Sequence, residues 1–178
     1  GRYGSVDDVA LLSYAEIGAA ALAVALDVTD EASTIAAYNA AEARFGPVDT
    51  VIANAGVSLP GRTTDVPASS ARAIFDTNVL GVYLTAREGA KRMLAAGSKA
   101  SGKGRIVLIG SMGAVAMIPG EVAYCASKAA VATMGRNMAS EWARQGINVN
   151  VLQPGFIDTE LAGDWFSTDG GKAQVAGF

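Results

Sequence analysis

The chain has 178 residues, of which 51% are apolar and 17% are charged, and its formal net charge is −3. This composition is typical of a compact folded protein and argues against disorder. The acidic balance, with no run of basic residues, argues against a nucleic-acid-binding surface. Histidine is absent, which excludes histidine-based catalytic triads and argues against a zinc site.

The same features bear on the cellular setting and the number of domains. Apolar stretches are interrupted by Asp, Glu, Gly or Asn before they reach the length of a membrane span. The single cysteine, Cys125, cannot form an internal disulfide, which fits a reducing compartment. Residues 1–5 do not resemble a secretory signal. We therefore expect one domain over residues 1–178, in the cytoplasm and not in a membrane.

Apolar periodicity and turn residues predict strands that alternate with helices. The predicted elements are, in order, a short helix over 8–18, a strand over 21–28, a helix over 31–45 with Thr29-Asp30 as its N-cap, a strand over 48–53, a long helix over 68–95, a strand over 105–109, a helix over 121–145 and a strand over 147–152. Residues 57–67 and 97–104 are expected to be a loop and a flexible linker, and the tail is expected to be irregular. Four alternations predict a parallel sheet with right-handed crossovers and helices on both faces.

Small or polar residues break the apolar pattern just past each predicted strand. These residues are Asp27, Asn54-Ala55-Gly56, Gly110-Ser111 and Pro154-Gly155. In an open parallel sheet the carboxyl ends of the strands line the ligand crevice. We therefore expect a binding site along this edge.

Tyr124 and Lys128 are four residues apart, which places them on one face of a helix. A lysine ammonium near a phenol stabilises the phenolate: at about 4 Å and an effective dielectric of about 20, two unit charges interact by about 4 kcal/mol. A phenol stabilised in this way can act as a general acid or base near neutral pH. Ser111 lies thirteen residues before Tyr124 and is a candidate partner in the same site.

In their order and spacing these motifs resemble the short-chain dehydrogenase/reductase family over about residues 21–159. The matching positions are Asp27-Val28, Asn54-Ala55-Gly56, Asn78, Ser111, Tyr124, Lys128, Pro154-Gly155 and Thr159. The resemblance implies a Rossmann-type doubly wound fold. It also implies an oxidoreductase that uses NAD or NADP to interconvert a secondary alcohol and a ketone.

The resemblance implies a role for each of four catalytic residues. Tyr124 would exchange a proton with the substrate oxygen, and Ser111 would hydrogen-bond that oxygen. Lys128 would stabilise the phenolate and hold the nicotinamide ribose. Asn78, inside the long helix, would kink it locally and position a water in a proton relay to Lys128.

The resemblance also implies a set of cofactor contacts. Asp27 would accept a hydrogen bond from the adenine amino group, with Val28 beside the ring. Residues 54–56 would let the backbone approach the cofactor closely. Ile157 and Thr159 would meet the nicotinamide carboxamide. The full expected set is Asp27, Val28, Asn54, Ala55, Gly56, Tyr124, Lys128, Pro154, Gly155, Ile157 and Thr159.

Several of these residues have a purely structural alternative. Ser111 would cap the turn after its strand, residues 54–56 would form an ordinary left-handed turn, Asn78 would be a helix-surface amide, and Asp27 would cap a helix. Trp165 and Phe166 would either pack in the core or cover the substrate.

The family's glycine-rich turn, which holds the pyrophosphate at a helix N-terminus, has no counterpart in the sequence. The first strand, first helix, second strand and last strand of the family also have none. Two explanations are open. The 178 residues belong to a longer protein that has these parts, which we favour, or they form a genuine fragment with exposed apolar sheet edges.

The main expectation is a dehydrogenase that acts on a small-molecule alcohol or ketone. One alternative is a non-catalytic fragment or homologue that acts through protein contacts. Another is an epimerase or dehydratase on the same scaffold, which the fold alone does not exclude. Residues 68–95 and 121–145 are long helices of the kind that this family uses to form homodimers and homotetramers. The sequence does not specify the substrate or the choice between NAD and NADP.

Overall fold

The computed structural model of the chain describes residues 20–157 and 167–176. The elements in these ranges are α1 (Glu31–Phe45), β1 (Thr50–Ala53), α2 (Ala68–Phe75), α3 (Val82–Ala95), α4 (Ser98–Ser101), β2 (Gly104–Ile109), α5 (Val122–Trp142), β3 (Ile147–Leu152) and α6 (Asp169–Ala176). The helix predicted over 8–18 lies outside the described residues, as do Thr159, Trp165 and Phe166.

The three strands form a parallel sheet in the order β1-β2-β3. Ala53 pairs with Leu108, and Ile109 pairs with Leu152, so the carboxyl ends of all three strands reach the same edge. The parallel arrangement confirms the Rossmann-type class predicted from the alternation of strands and helices. It also brings the residues that follow each strand together, as expected for a ligand-binding edge.

Helices α3 and α5 cover one face of the sheet and bury its apolar residues. The core cluster consists of Val51, Ala53, Val82, Ala86, Ala90, Met93, Ile106, Leu108, Val131, Met138, Ile147 and Val149. Alternate strand residues point to the other face, where Ile52 is 61% exposed and Leu152 is 56% exposed. Within the described residues, the expected cover of helices is therefore seen on one face only.

Helix α1 begins where the sequence predicts. The Asp30 carboxylate accepts a hydrogen bond from the Ala32 amide at 2.9 Å and so caps the first turn. The helix packs on α3, with the Tyr38 hydroxyl donating to the Thr85 carbonyl at 2.8 Å. Gly89 makes this approach possible, because a Cβ there would lie 2.8 Å from the Tyr38 hydroxyl.

The long helix predicted over 68–95 is continuous but not uniform. Between α2 and α3, residues Asp76–Gly81 form a π-helical segment that contains Asn78. A π turn carries one residue more than an α turn, and such turns are frequent at functional sites. The sequence predicts a local kink at Asn78, and the structure has a π-helical segment at that position.

Three predictions of local structure are wrong. Residues 21–27 form no strand, and Leu22, Val24 and Leu26 are exposed, because no described strand pairs with this segment. The predicted linker over 97–104 contains α4, flanked by Gly97 and Gly102 in left-handed conformations. The tail, expected to be irregular, contains α6.

Candidate active site

The carboxyl edge of the sheet is joined by backbone hydrogen bonds beyond the strands themselves. The Gly110 amide donates to the Leu152 carbonyl at 2.7 Å, and the Met112 amide donates to the Pro154 carbonyl at 2.9 Å. The turns after β2 and β3 are thus held side by side. Ser111 lies between these two bonds, so its position is fixed by the sheet.

Asn78 connects the long helix to the segment after β1. It is fully buried, its Oδ1 accepts from the Val57 amide at 2.8 Å, and its Nδ2 donates to the Val57 carbonyl at 2.9 Å. The second N–H of Asn78 Nδ2 donates to Ser127 Oγ at 3.0 Å. Both N–H groups are therefore used, and of the side chain only the second lone pair of Oδ1 remains for a water in a relay. The alternative of a surface amide is wrong.

Lys128 is buried in the second turn of α5, and its Nζ donates to the Ile109 carbonyl at 2.9 Å. Burial lowers the pKa of the Lys128 ammonium, because a charge loses hydration when it leaves water. Gly56 faces this nitrogen: a Cβ at Gly56 would lie 3.4 Å from Lys128 Nζ and 3.4 Å from Asn78 Oδ1. The structure therefore brings Gly56, Asn78 and Lys128 together, from three different elements.

Tyr124 lies one turn before Lys128 and is half-buried. Lys128 Nζ is 5.6 Å from the centroid of the Tyr124 ring, so the two side chains share a helix face as the spacing predicts. In the part of the chain that the structure describes, no protein group hydrogen-bonds the Tyr124 hydroxyl. That hydroxyl is thus available to a bound molecule.

Sequence reasoning missed Ser127. This fully buried side chain donates to the Tyr124 carbonyl at 2.7 Å and accepts from Asn78, so it joins the two predicted residues. A serine in a helix interior often bonds a carbonyl three or four residues earlier. That local rule indicates the bond to Tyr124, but no sequence signal indicates the bond to Asn78, which is 49 residues away.

Ser111 is buried and caps the 3₁₀ turn Met112–Ala114, as its Oγ accepts from the Gly113 amide at 3.0 Å. The capping alternative for Ser111 is thus correct as a structural description. It does not conflict with the predicted catalytic role, because the Ser111 hydroxyl proton is not used in this bond.

Asp27 is exposed and accepts from Thr29 twice, at 2.7 Å from Oγ1 and at 2.9 Å from the amide. The hydroxyl and then the amide of Thr29 lower the pKa of the Asp27 carboxyl, because both bonds stabilise its ionised form. Asp30, and not Asp27, caps α1. Val28 packs against Gly81, where a Cβ would lie 2.7 Å from Val28 Cγ2.

The remaining expected cofactor contacts lie at the surface of the same edge. Asn54 and Ala55 follow β1, Gly155 and Ile157 follow β3, and all four are exposed. Pro154 is half-buried, and its carbonyl accepts the hydrogen bond from the Met112 amide. Residues 54–56 contain no positive φ, so the alternative of a left-handed turn is wrong.

A family model described as short chain dehydrogenase matches residues 7–170. The chain belongs to the short-chain dehydrogenase family. This membership confirms the resemblance inferred from the motifs. Among the described residues, no helix of this family member is both long and apolar enough to cross a membrane.

Relatives of this short-chain dehydrogenase include one that is named inactive and others that are named for the compound they dehydrogenate. The inactive 2-(S)-hydroxypropyl-CoM dehydrogenase 2 of Xanthobacter autotrophicus is 40% identical over 80% of this chain and 60% of its own length. The cis-4-hydroxycyclohexanecarboxylate dehydrogenase of Sinomonas cyclohexanicum is 38% identical over 87% of this chain and 60% of its own length. The chain thus spans about 60% of the length of these relatives.

Solved structures share the fold closely. The 3-ketoacyl-(acyl-carrier-protein) reductase of Brucella melitensis, complexed with NADH, has a TM-score of 0.83 and 34% identity, with 88% of this chain and 64% of that chain covered. The gluconate 5-dehydrogenase of Burkholderia cenocepacia, in complex with NADP and tartrate, has a TM-score of 0.77 and 30% identity, with 85% and 58% covered.

Proposed function

We propose that the intact protein is an NAD(P)-dependent oxidoreductase that interconverts a secondary alcohol and a ketone. The pairing of Tyr124 with Lys128 carries this proposal, because the ammonium lies 5.6 Å from the ring centroid while the phenol hydroxyl has no described protein partner. Relatives named as dehydrogenases of hydroxylated compounds support the reaction class. Solved relatives bound to NADP or NADH support the cofactor class.

The residues at the carboxyl edge fit a dinucleotide. Gly56 has no side chain to crowd Lys128 Nζ, because a Cβ there would lie 3.4 Å from that nitrogen. Lys128 Nζ uses one of its three N–H groups on the Ile109 carbonyl, so two remain for ribose hydroxyls. Asp27 would meet the adenine amino group, with Val28 beside it. The remaining contacts would come from Asn54, Ala55, Pro154, Gly155, Ile157 and Thr159. The bound dinucleotide would supply the hydride chemistry, and the protein would supply position and proton transfer.

The protein's own groups account for the proton. The Tyr124 hydroxyl would give its proton to a carbonyl oxygen during reduction and take it back from an alcohol during oxidation. Ser111 would donate to the same oxygen, since its Oγ accepts from Gly113 and keeps its own proton free. The Lys128 ammonium would stabilise the phenolate between these events.

Substitution of the proposed proton donor tests the function. Tyr124→Phe should retain the fold and the rise in melting temperature on addition of NAD⁺ or NADP⁺, while it removes nearly all turnover of a panel of secondary alcohols. Tyr83→Phe is the matched control, because this partly exposed ring lies on α3 and should keep wild-type turnover. A Tyr124→Phe variant that keeps more than about a tenth of wild-type kcat, a loss under about 1.4 kcal/mol, would refute the role of Tyr124.

A second candidate is a non-catalytic homologue that acts through protein contacts. One observation favours it: a relative that is 40% identical is named as inactive. The two candidates differ in a simple experiment on the intact wild-type protein. Stabilisation by the dinucleotide together with turnover supports the oxidoreductase. Absence of turnover on every alcohol and ketone in the panel supports the non-catalytic candidate.

A further inference from the structure

We propose that Ser58 and Glu121 form a tether that positions Tyr124, an inference that rests on the proposed oxidoreductase function. Ser58 Oγ lies 2.7 Å from both carboxylate oxygens of Glu121. The acceptor is an ionised carboxylate, and hydrogen bonds to ionised groups are of a strong type. A second bond joins the same two segments, from the Gly61 amide to the Gly120 carbonyl at 2.9 Å.

Glu121 is the N-cap residue of α5, but its side chain does not cap the helix. An N-cap side chain ordinarily accepts a hydrogen bond from an amide in the first turn. Here the Glu121 carboxylate is engaged with Ser58, in the segment after β1, while the Glu121 carbonyl accepts from the Cys125 amide at 2.8 Å. The first turn of α5 is therefore fixed in space by a neighbouring segment, and Tyr124 lies in that turn.

The other end of the tether is also anchored. Ser58 follows Val57, whose amide and carbonyl are both bonded to the fully buried Asn78. Asn78 bonds Ser127, and Ser127 bonds the Tyr124 carbonyl. Hydrogen bonds and short stretches of chain thus form a closed ring that holds Tyr124 from both sides.

Lys128 does not depend on this ring in the same way. It lies in the second turn of α5, is buried, and is held by the Ile109 carbonyl of β2. Helix ends lose their regular geometry before helix interiors do. Loss of the tether should therefore displace Tyr124 while Lys128 stays in place. Ser58 is accordingly a positioning residue for proton transfer and not for cofactor binding.

The experiment compares Ser58→Ala, Ser58→Thr and the control Ser69→Ala, which removes an exposed hydroxyl from α2. Ser58→Ala should speed amide hydrogen exchange at Cys125, whose amide donates to the Glu121 carbonyl, and at Ala126 in the absence of cofactor. It should also lower kcat about tenfold, since a displacement of about 1 Å can cost up to about 100-fold. The rise in melting temperature on cofactor addition should be retained. Ser58→Thr keeps the hydroxyl and should restore exchange and kcat, and Ser69→Ala should match wild type in both.

Unchanged exchange at Cys125 and Ala126 in Ser58→Ala would overturn the tether. A Ser58→Ala variant with faster exchange but wild-type kcat would overturn the positioning role. So would a variant in which the loss of kcat is accompanied by loss of the rise in melting temperature on cofactor addition. A wild-type protein that turns over no alcohol or ketone would refute the proposed function, and the positioning role with it. The exchange comparison would then still decide whether the tether holds the first turn of α5.

Discussion

Replacement of Asn78 by alanine should destabilise the protein by about 3 kcal/mol. The substitution leaves the Val57 amide and carbonyl without their partner, at about 1 kcal/mol each, the lower end for buried groups because Val57 is partly exposed. The small cavity left in a fully buried site adds about 1 kcal/mol. Ser127 contributes little to the loss, because its hydroxyl still donates to the Tyr124 carbonyl.

Urea denaturation and thermal melting measure this loss, and about 3 kcal/mol corresponds to a fall in Tm of about 6–12 °C for a chain of this size. Asn137→Ala is the matched control. That amide is exposed on α5, donates to the Thr133 carbonyl at 2.9 Å, and should change stability by at most about 0.5 kcal/mol on removal. The loss of unfolding free energy in Asn78→Ala should exceed the loss in Asn137→Ala. If the difference is below about 1 kcal/mol, the Asn78 bonds do not hold the segment after β1 as described.

Two further substitutions test burial and backbone geometry. In the folded protein the pKa of Lys128 lies below 10.5, its reference value in the unfolded chain. Between the folded and the unfolded pKa the unfolded chain binds more protons, so the free energy of unfolding of the wild type rises with pH in that range. Lys128→Met should remove that rise, and equal slopes of unfolding free energy against pH in the two proteins would contradict the buried ammonium. Gly146→Ala should lower Tm far more than Gly102→Ala. Both glycines have positive φ, but only at Gly146 would a Cβ meet backbone, 2.0 Å from the Ser98 carbonyl oxygen. Similar Tm values for the two variants would show that this contact relaxes at little cost.

The elements that sequence reasoning located best are those whose signals are local. Asp30 before an alanine-rich run marks the start of α1, and the apolar alternation of residues 147–152 marks β3. The Tyr124 and Lys128 pair follows from helical periodicity alone. Such signals depend on neighbouring residues and need no knowledge of tertiary contacts.

The errors have a common physical origin in contacts between distant residues. Residues 21–27 have the composition of a buried strand, but a strand exists only when another strand supplies its hydrogen bonds. The bonds from Asn78 to Val57 and from Ser58 to Glu121 join positions 21 and 63 residues apart. Neither pair forms a recognisable motif in sequence. Family membership rests on the similarity of residues 7–170 to short-chain dehydrogenases, because a sheet of three described strands does not by itself distinguish this family from others.

The π-helical segment bears on how this part of the chain can vary in length. A π turn holds one residue more than an α turn, so deletion of one residue from Asp76–Gly81 can close the segment into an ordinary α turn and leave the orientation of the following helix unchanged. Val82, Ala86 and Met93 would then still face the sheet that buries them. The bonds from Asn78 to Val57 and Ser127, in contrast, depend on where the wider turn places the Asn78 side chain. We therefore expect loss of one residue here to cost the Asn78 bonds and to leave the core residues of α3 in place.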